Sequence, residues 1–241
     1  MPDDVIQRIA GNLARVEERI TQACLRAGRR REAVTLVAVT KMRTLEETRA
    51  ACICGIRHLG ENRVEELEDK VPALAKSWAG APPAWHMIGH LQSRKARYVV
   101  ELCQMLHSLD TLSLANKLEY QAAAHNVVLP VLIECNIAGD VHKYGFMACD
   151  PGSWQELSRV LTGLAACPHL AVRGLMTMAP IVTSPQEARP FFRRLRELRD
   201  YLRQAVPFSD WAELSMGMTD DFEVAIEEGA TMIRIGRAIF N

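Results

Sequence analysis

In TLVAVTK, residues 35–41, an apolar, β-branched run leads straight into a lysine. A strand-end amine held among apolar chain and other cations is partly desolvated. Desolvation lowers its pKa and makes Lys41 a candidate Schiff-base former toward a carbonyl compound. The same pattern also fits a lysine that snorkels into solvent. Far along the chain, ELSMGMTDDFE (213–223) ends a strand at Ser215, passes Met216, turns at Gly217 and Met218, and opens a helix near Thr219. IRIGRAIF (233–240) repeats the plan: Arg234 and Ile235 end a strand, Gly236 lets the backbone approach a ligand, and a short helix starts at Arg237. Backbone N–H groups at such turns and helix starts bind phosphate. Two ordinary tight turns are the alternative.

Asn62, His90, Asp110, Asn136 and Met178 stand at the ends of other predicted strands. If the strands are parallel and close on themselves, one rim collects these residues with Lys41, Ser215, Gly217, Arg234 and Gly236. His86 and His90, in WHMIGHLQSRK, are predicted to share a strand face without a third ligand. Cys52 and Cys54 form C-x-C with no second pair, so no metal site is expected. Met176, Met178, Met216 and Met218 fit either the core or a soft wall against a flat ring.

The elements that must position these residues follow from periodicity. Apolar positions Ile6, Ile9, Leu13, Val16, Ile20 and Cys24 step by threes and fours, predicting a helix over 4–27 packed on the main body. Arg29, Arg30 and Arg31 then read as a solvated turn. Eight short apolar or β-branched segments follow: 34–40, 58–61, 85–91, 105–109, 129–137, 172–178, 211–215 and 232–235. Helical patterns lie between most of them, with capping-box spacing at Thr44/Glu47, Ser153/Glu156, Ser184/Glu187 and Asp220/Glu223, and a stop at Gly229. Two long connections, AGDVHKYGFMACDPGS and APIVTS, leave strand C-terminal ends, where function concentrates. Eight β-α units in 241 residues predict one (β/α)8 barrel with an extra N-terminal helix. No G-x-G-x-x-G or P-loop follows the first strand, so the dinucleotide and P-loop readings lose their main support.

Lys plus Arg equals Asp plus Glu at 29 each, so no whole-molecule field favours nucleic acid. Apolar runs such as VVLPVLIEC fall far short of a membrane span. The N-terminal MPDDVIQRIA lacks the basic head and apolar stretch of a signal peptide. Seven scattered cysteines suit a reducing cytoplasm, where the protein is expected.

AVTK to Lys41, HLGEN to Asn62, WHMIGHLQSRK, HSLD to Asp110, KYG at Lys143, VRGLMTM, ELSMGMTDDFEVAI and IRIG to Gly236 occur in this order. In these stretches the chain resembles the pyridoxal phosphate homeostasis proteins, the YggS and PROSC group. They are relatives of the alanine racemase N-terminal domain with the fold-type III cofactor site. The resemblance implies that Lys41 forms the internal aldimine with pyridoxal 5′-phosphate (PLP) and that Asn62 lies beside the ring. It places the phosphate on Ser215, Gly217, Gly236 and the neighbouring backbone of Met216, Met218, Ile235 and Arg237, and the pyridine nitrogen on Arg234. An arginine that stays protonated cannot accept a pyridinium proton, so the ring would be a weaker electron sink. Lys143 matches a second family lysine that assists cofactor capture or transfer; a mobile, solvated lysine fits equally well.

Two departures stand out. Arg237 replaces a small hydroxyl residue common in relatives, exchanging a hydroxyl contact for charge, and the chain stops at Asn241 soon after AIF, so the final helix is expected either to be short or to lack its tail. The expected function is non-catalytic storage, buffering and delivery of PLP by a monomer, with PLP-dependent apoenzymes as partners. The alternative is an amino-acid racemase or other fold-type III enzyme. A cofactor-free Schiff-base aldolase leaves Arg234 without a task. Racemisation needs a base on each face of the cofactor, and the sequence holds no evident second domain to supply one.

Overall fold

The β-branched run that precedes Lys41 forms the first wall of a closed sheet. In the computed structural model, which describes residues 3–241, the strands are β1 (Thr35–Val39), β2 (His58–Glu61), β3 (Ala84–Met87), β4 (Met105–Leu109), β5 (Leu129–Asn136), β6 (Phe146–Met147), β7 (Leu170–Met176), β8 (Glu213–Ser215) and β9 (Met232–Ile235). Their order is β4-β3-β2-β1-β9-β8-β7-β5, and pairing of β4 with β5 closes the ring; two-residue β6 adds to β5 outside it. All pairings are parallel, so every strand delivers its last residue to one rim. This is the expected (β/α)8 barrel.

Nine helices surround or cap the barrel among the described residues: α1 (Asp3–Arg26), α2 (Leu45–Ile53), α3 (Val64–Ser77), α4 (Ala96–Leu102), α5 (Leu112–Ala124), α6 (Trp154–Thr162), α7 (Arg189–Ala205), α8 (Phe222–Glu227) and α9 (Arg237–Phe240). The predicted N-terminal helix is α1; it buries Ile9, Leu13, Val16, Ile20 and Cys24 against α2, α8 and α9. The buried Asn12 holds the far end of the chain, donating through Nδ2 to the carbonyls of Ile239 (2.9 Å) and Asn241 (2.7 Å). The final helix, α9, has four residues.

Several local expectations change. Arg29 and Arg31 are not simply solvated. Arg29 Nη1 donates to the Ile226 carbonyl at 2.8 Å, and Arg31 grips Glu17 through Nε and Nη2 at 2.7 and 2.9 Å, tying α1 to the barrel. Of the four capping boxes only Thr44/Glu47 closes. Ser153 donates to Asp150, Glu187 is taken by the Thr183 hydroxyl, and Asp221, next to the expected Asp220, binds the Met218 N–H. Gly229 does follow α8 with φ 100°. The third strand stops at Met87 instead of Leu91, because the chain at Gly89 crosses the exit of β2 so closely that a Cβ there would lie 2.3 Å from the Asn62 carbonyl oxygen. Trp211 sits outside β8 with φ 49°, its ring buried and its Nε1 donating to the Val206 carbonyl.

Candidate functional site

Lys41 leaves β1 within a turn whose neighbours are both fixed. The buried Lys70 of α3 donates through Nζ to the Thr40 carbonyl (2.7 Å), to Glu61 Oε1 (2.8 Å) and to Glu66 Oε2 (2.7 Å). The Thr40 hydroxyl donates to the same Glu61 oxygen at 2.6 Å. The Met42 N–H donates to Glu66 Oε2 at 2.8 Å, with Met42 in the left-handed region at φ 58°. One buried ammonium therefore clamps the residues on either side of Lys41. Burial pushes the Glu61 carboxyl up even against Lys70, and its buried Oε2 has no partner among the described residues. Burial also pushes Glu66 upward, but bonds from Lys70 and the Met42 N–H outweigh it and hold Glu66 below the usual carboxylate range. Sequence reading missed this clamp; Glu66 and Lys70 four apart on a helix look like any surface pair. Lys41 itself is solvent-exposed rather than partly desolvated, with no hydrogen-bond or ion-pair partner among the described residues.

On the same rim, next to β1, strands β9 and β8 bring the predicted phosphate turns side by side. The Arg234 N–H donates to the Gly217 carbonyl at 3.0 Å, and β9 runs beside β1 with Ile235 opposite Ala38. A Cβ at Gly236 would meet the Val39 carbonyl oxygen at 3.3 Å, and one at Gly217, where φ is +94°, would lie 2.6 Å from Ala225 Cβ. The backbone N–H groups of Gly217, Gly236 and Arg237 have no acceptor among the described residues. Thr219, half-buried beside them, keeps its hydroxyl free among those residues. Gly217→Ala is expected to cost about 2 kcal/mol through strained φ and overpacking, read by urea unfolding; a loss below about 0.5 kcal/mol would show that the turn tolerates a side chain.

Arg234 is buried. Its Nη1 donates to Ser215 Oγ at 2.5 Å and its Nη2 to the Thr177 carbonyl at 2.9 Å. No carboxylate pairs with it among the described residues. Burial lowers its pKa to about 10, opposed by the charges of Asp221 and Glu134, so it remains a cation at neutral pH with donors to spare. Ser215 does not aim its hydroxyl at the phosphate turns; it is buried between Arg234 and His107 Nδ1, 2.9 Å away. Met216 and Ile235 bury their side chains in the core and bring only backbone to the rim. Met218 is partly exposed, and exposed Arg237 pairs with Asp220.

The remaining rim carries Asn62, half-buried, and His90, bonded to Asp110 Oδ2 at 3.0 Å and stacked on Tyr144 at 3.6 Å between ring centroids. His86 and His90 do not share a strand face as predicted: His86 points into the barrel, and no metal-ligating group of His, Cys, Asp and Glu exists among the described residues. Asn136 organises the long loop, receiving the Gly139 and Asp140 N–H groups and donating to the Asp140 carbonyl. Gly145 (φ 105°) packs this loop so tightly on β5 that a Cβ would lie 2.9 Å from the Glu134 carbonyl oxygen. Lys143, half-buried, faces a small recess with Glu134, Tyr144 and Met178.

Glu134 was not singled out by its sequence context. Burial, helped by the charge of Asp110 and opposed by Arg234, pushes its carboxyl up to about 7. Its folded pKa lies above its unfolded value, so the ionised form is penalised in the fold. Stability is full below the unfolded pKa and declines as pH rises toward about 7. The gap from an ordinary carboxylate corresponds to at most about 3 kcal/mol. Glu134→Gln is therefore expected to stabilise the protein above about pH 8 and to change little near pH 4; equal effects at both ends of a pH series of unfolding curves would contradict this.

The family model described as alanine racemase, N-terminal domain, matches residues 7–241. The pyridoxal phosphate homeostasis protein of Aquifex aeolicus is 42% identical over 232 residues, covering 95% of each chain. That of Pseudomonas aeruginosa is 38% identical over 232 residues, covering 96% of this chain and 94% of its own. PipY of Synechococcus elongatus PCC7942, solved with PLP bound, is 32% identical, covers 97% of this chain and 100% of its own, and superposes with a TM-score of 0.80. Sequence and fold agree, and the chain belongs to the pyridoxal phosphate homeostasis protein family, within the larger family of the alanine racemase N-terminal domain.

Proposed function

We propose that this chain binds pyridoxal 5′-phosphate at the C-terminal rim of its barrel, linked covalently to Lys41, and serves intracellular PLP homeostasis by storing, buffering and delivering the cofactor. The observation that carries this reading is the buried Arg234 cation, which has no carboxylate partner among the described residues and stands beside two turns with unpaired N–H groups. That donor set fits a phosphorylated pyridine: N–H groups for the anion, a guanidinium for the ring nitrogen, and a free amine leaving the neighbouring strand β1. PLP supplies an aldehyde carbon when bound. Lys41 would present its free amine to that carbon. Gly217, Gly236 and Arg237 N–H groups with the Thr219 hydroxyl hold the phosphate, and Asn62 flanks the ring. Arg234, protonated at neutral pH, donates to the ring nitrogen and cannot take its proton, which leaves the ring a poor sink for a carbanion. PipY with PLP bound and the relatives' names support the reading. Transfer to PLP-dependent apoenzymes, a monomeric state and a cytoplasmic setting complete the proposal; no helix among the described residues is long and apolar enough to cross a membrane.

A racemase or other fold-type III enzyme is the second reading, favoured by one observation: Glu134, near 7, offers a second proton-transfer group near the rim. The open position of Lys41 weighs against it, since water weakens electrostatic stabilisation of charge. The test is twofold. Purified protein mixed with PLP should develop a yellow band that borohydride converts into a stable adduct on the peptide carrying residue 41; failure to do so sinks the cofactor assignment. Single-enantiomer amino acids in deuterated water should keep their α-protons; rapid exchange would move the protein into the enzyme class.

A further inference from the structure

Three histidines left unused by the proposed binding chemistry cross the barrel interior. His58, His86 and His107 stand on β2, β3 and β4. His58 Nδ1 lies 3.0 Å from His86 Nε2, His86 Nδ1 lies 2.9 Å from His107 Nε2, and His107 Nδ1 lies 2.9 Å from Ser215 Oγ. Arg234 Nη1 donates to that same oxygen. His86, His107 and Ser215 are buried, while half-buried His58 opens the N-terminal end of β2, away from the rim.

All three rings are held neutral. Burial lowers His58, burial and then the neighbouring His58 lower His86 to about 3, and burial followed by His86 and Arg234 lowers His107 far below the usual range. A neutral imidazole has one N–H and one bare nitrogen. Each link in the chain needs one of each, so the tautomer of one ring dictates the next.

Only two arrangements satisfy every link. In one, His58 gives its Nδ1 hydrogen to His86, His86 to His107, and His107 to Ser215. Ser215 then accepts from both His107 and Arg234, and its own hydrogen has no acceptor among the described residues. In the other, the Ser215 hydroxyl donates to His107 Nδ1, His107 Nε2–H to His86, and His86 Nε2–H to His58. Every buried donor of the histidine–serine chain then has an acceptor. An unmet buried donor costs about 1–3 kcal/mol, which selects the second arrangement.

We propose that His107, His86 and His58 form a tautomer-locked relay, each protonated on Nε2, that draws the Ser215 hydrogen into the barrel and leaves its oxygen as a fixed acceptor for Arg234. His107 is thereby a positioning residue for Arg234, and Ser215 is the arginine's anchor rather than a phosphate ligand. Only the consequence for cofactor binding rests on the function proposed above.

The test reads imidazole tautomers by 15N NMR of the free protein at neutral pH. All three histidines should be neutral and carry the hydrogen on Nε2. An Nδ1–H tautomer or an imidazolium at any of them overturns the relay. Ser215→Ala leaves His107 Nδ1 bare, and since an Nδ1–H there would be a second unmet buried donor beside the freed Arg234 Nη1, all three rings should keep their hydrogens on Nε2; Nδ1–H appearing at His58 overturns the ordering of the chain by unmet donors. In PLP titrations, His107→Phe should bind about tenfold more weakly with a displaced visible band, whereas His107→Asn, which keeps an acceptor for the Ser215 hydroxyl, should stay within about threefold of the parent. Parent-like binding by His107→Phe overturns the positioning role. Should that variant not fold, the parent and Ser215→Ala spectra still decide. Should the parent itself not bind PLP, the cofactor reading fails while the tautomer result stands.

Discussion

Replacing Lys41 with alanine is expected to abolish the visible band formed with PLP and every borohydride-stable adduct at that position. The side chain is exposed and makes no hydrogen bond or ion pair among the described residues, so stability should stay within about 0.5 kcal/mol of the parent. Affinity is another matter. Without the amine, binding falls to what Arg234 and the N–H groups of the turns supply. A loss of at least roughly a hundredfold is expected, corresponding to about 3 kcal/mol. Absorbance titration of the parent, Lys41→Ala and Lys143→Ala side by side separates the two candidate amines. Lys143→Ala should keep the band. A band retained by Lys41→Ala and lost by Lys143→Ala would transfer the covalent role to the long loop.

Lys70→Met should produce the largest change in stability, a loss of about 3–5 kcal/mol, because deleting the cation strands the buried Glu61 carboxylate and leaves the Thr40 carbonyl and Glu66 without their donor. That is a large part of the total stability of an ordinary domain. The sign of its pH dependence follows from Glu61, whose folded pKa is already raised by burial and should rise further without Lys70. Below the unfolded pKa the carboxyl is neutral in both states and the deficit shrinks; it grows as pH climbs and becomes constant above the folded pKa. Glu61→Gln added to Lys70→Met should recover much of the loss at neutral pH. A Lys70→Met protein that unfolds within about 1 kcal/mol of the parent would mean that the clamp is not what fixes the Lys41 turn.

The barrel was legible because its alternation is written in two periods, β-branched segments between helical stripes, and because α1 shows its apolar stripe without interruption from Ile6 to Cys24. The rim was legible too, since parallel strands must deliver Lys41, Asn62, Arg234 and Gly236 to one side. What stayed hidden depends on strand order and side-chain direction. His58, His86 and His107 have no common motif, and only the adjacency of β2, β3 and β4 turns them into one chain. Ser215 looked like a phosphate hydroxyl because it precedes a glycine turn; its last-residue position on β8 instead points it inward. Lys70 read as one half of a surface pair, and nothing local to it announces that Thr40 lies within reach. Boundaries slipped where backbone contacts outweighed propensity, as at Gly89 and Trp211.

The amine and its cradle come from opposite ends of the polypeptide. β1 and β9 lie side by side, and Asn12 holds the carbonyls of Ile239 and Asn241. During synthesis the ribosome therefore releases Lys41 long before it makes Arg234 or Gly236. A product interrupted before β9 would carry Lys41 and its Lys70 clamp without the proposed anion turns; a fragment from the other end would carry those turns without the amine. Capture as proposed would therefore report on translation, since only a chain made through Gly236 could hold the cofactor.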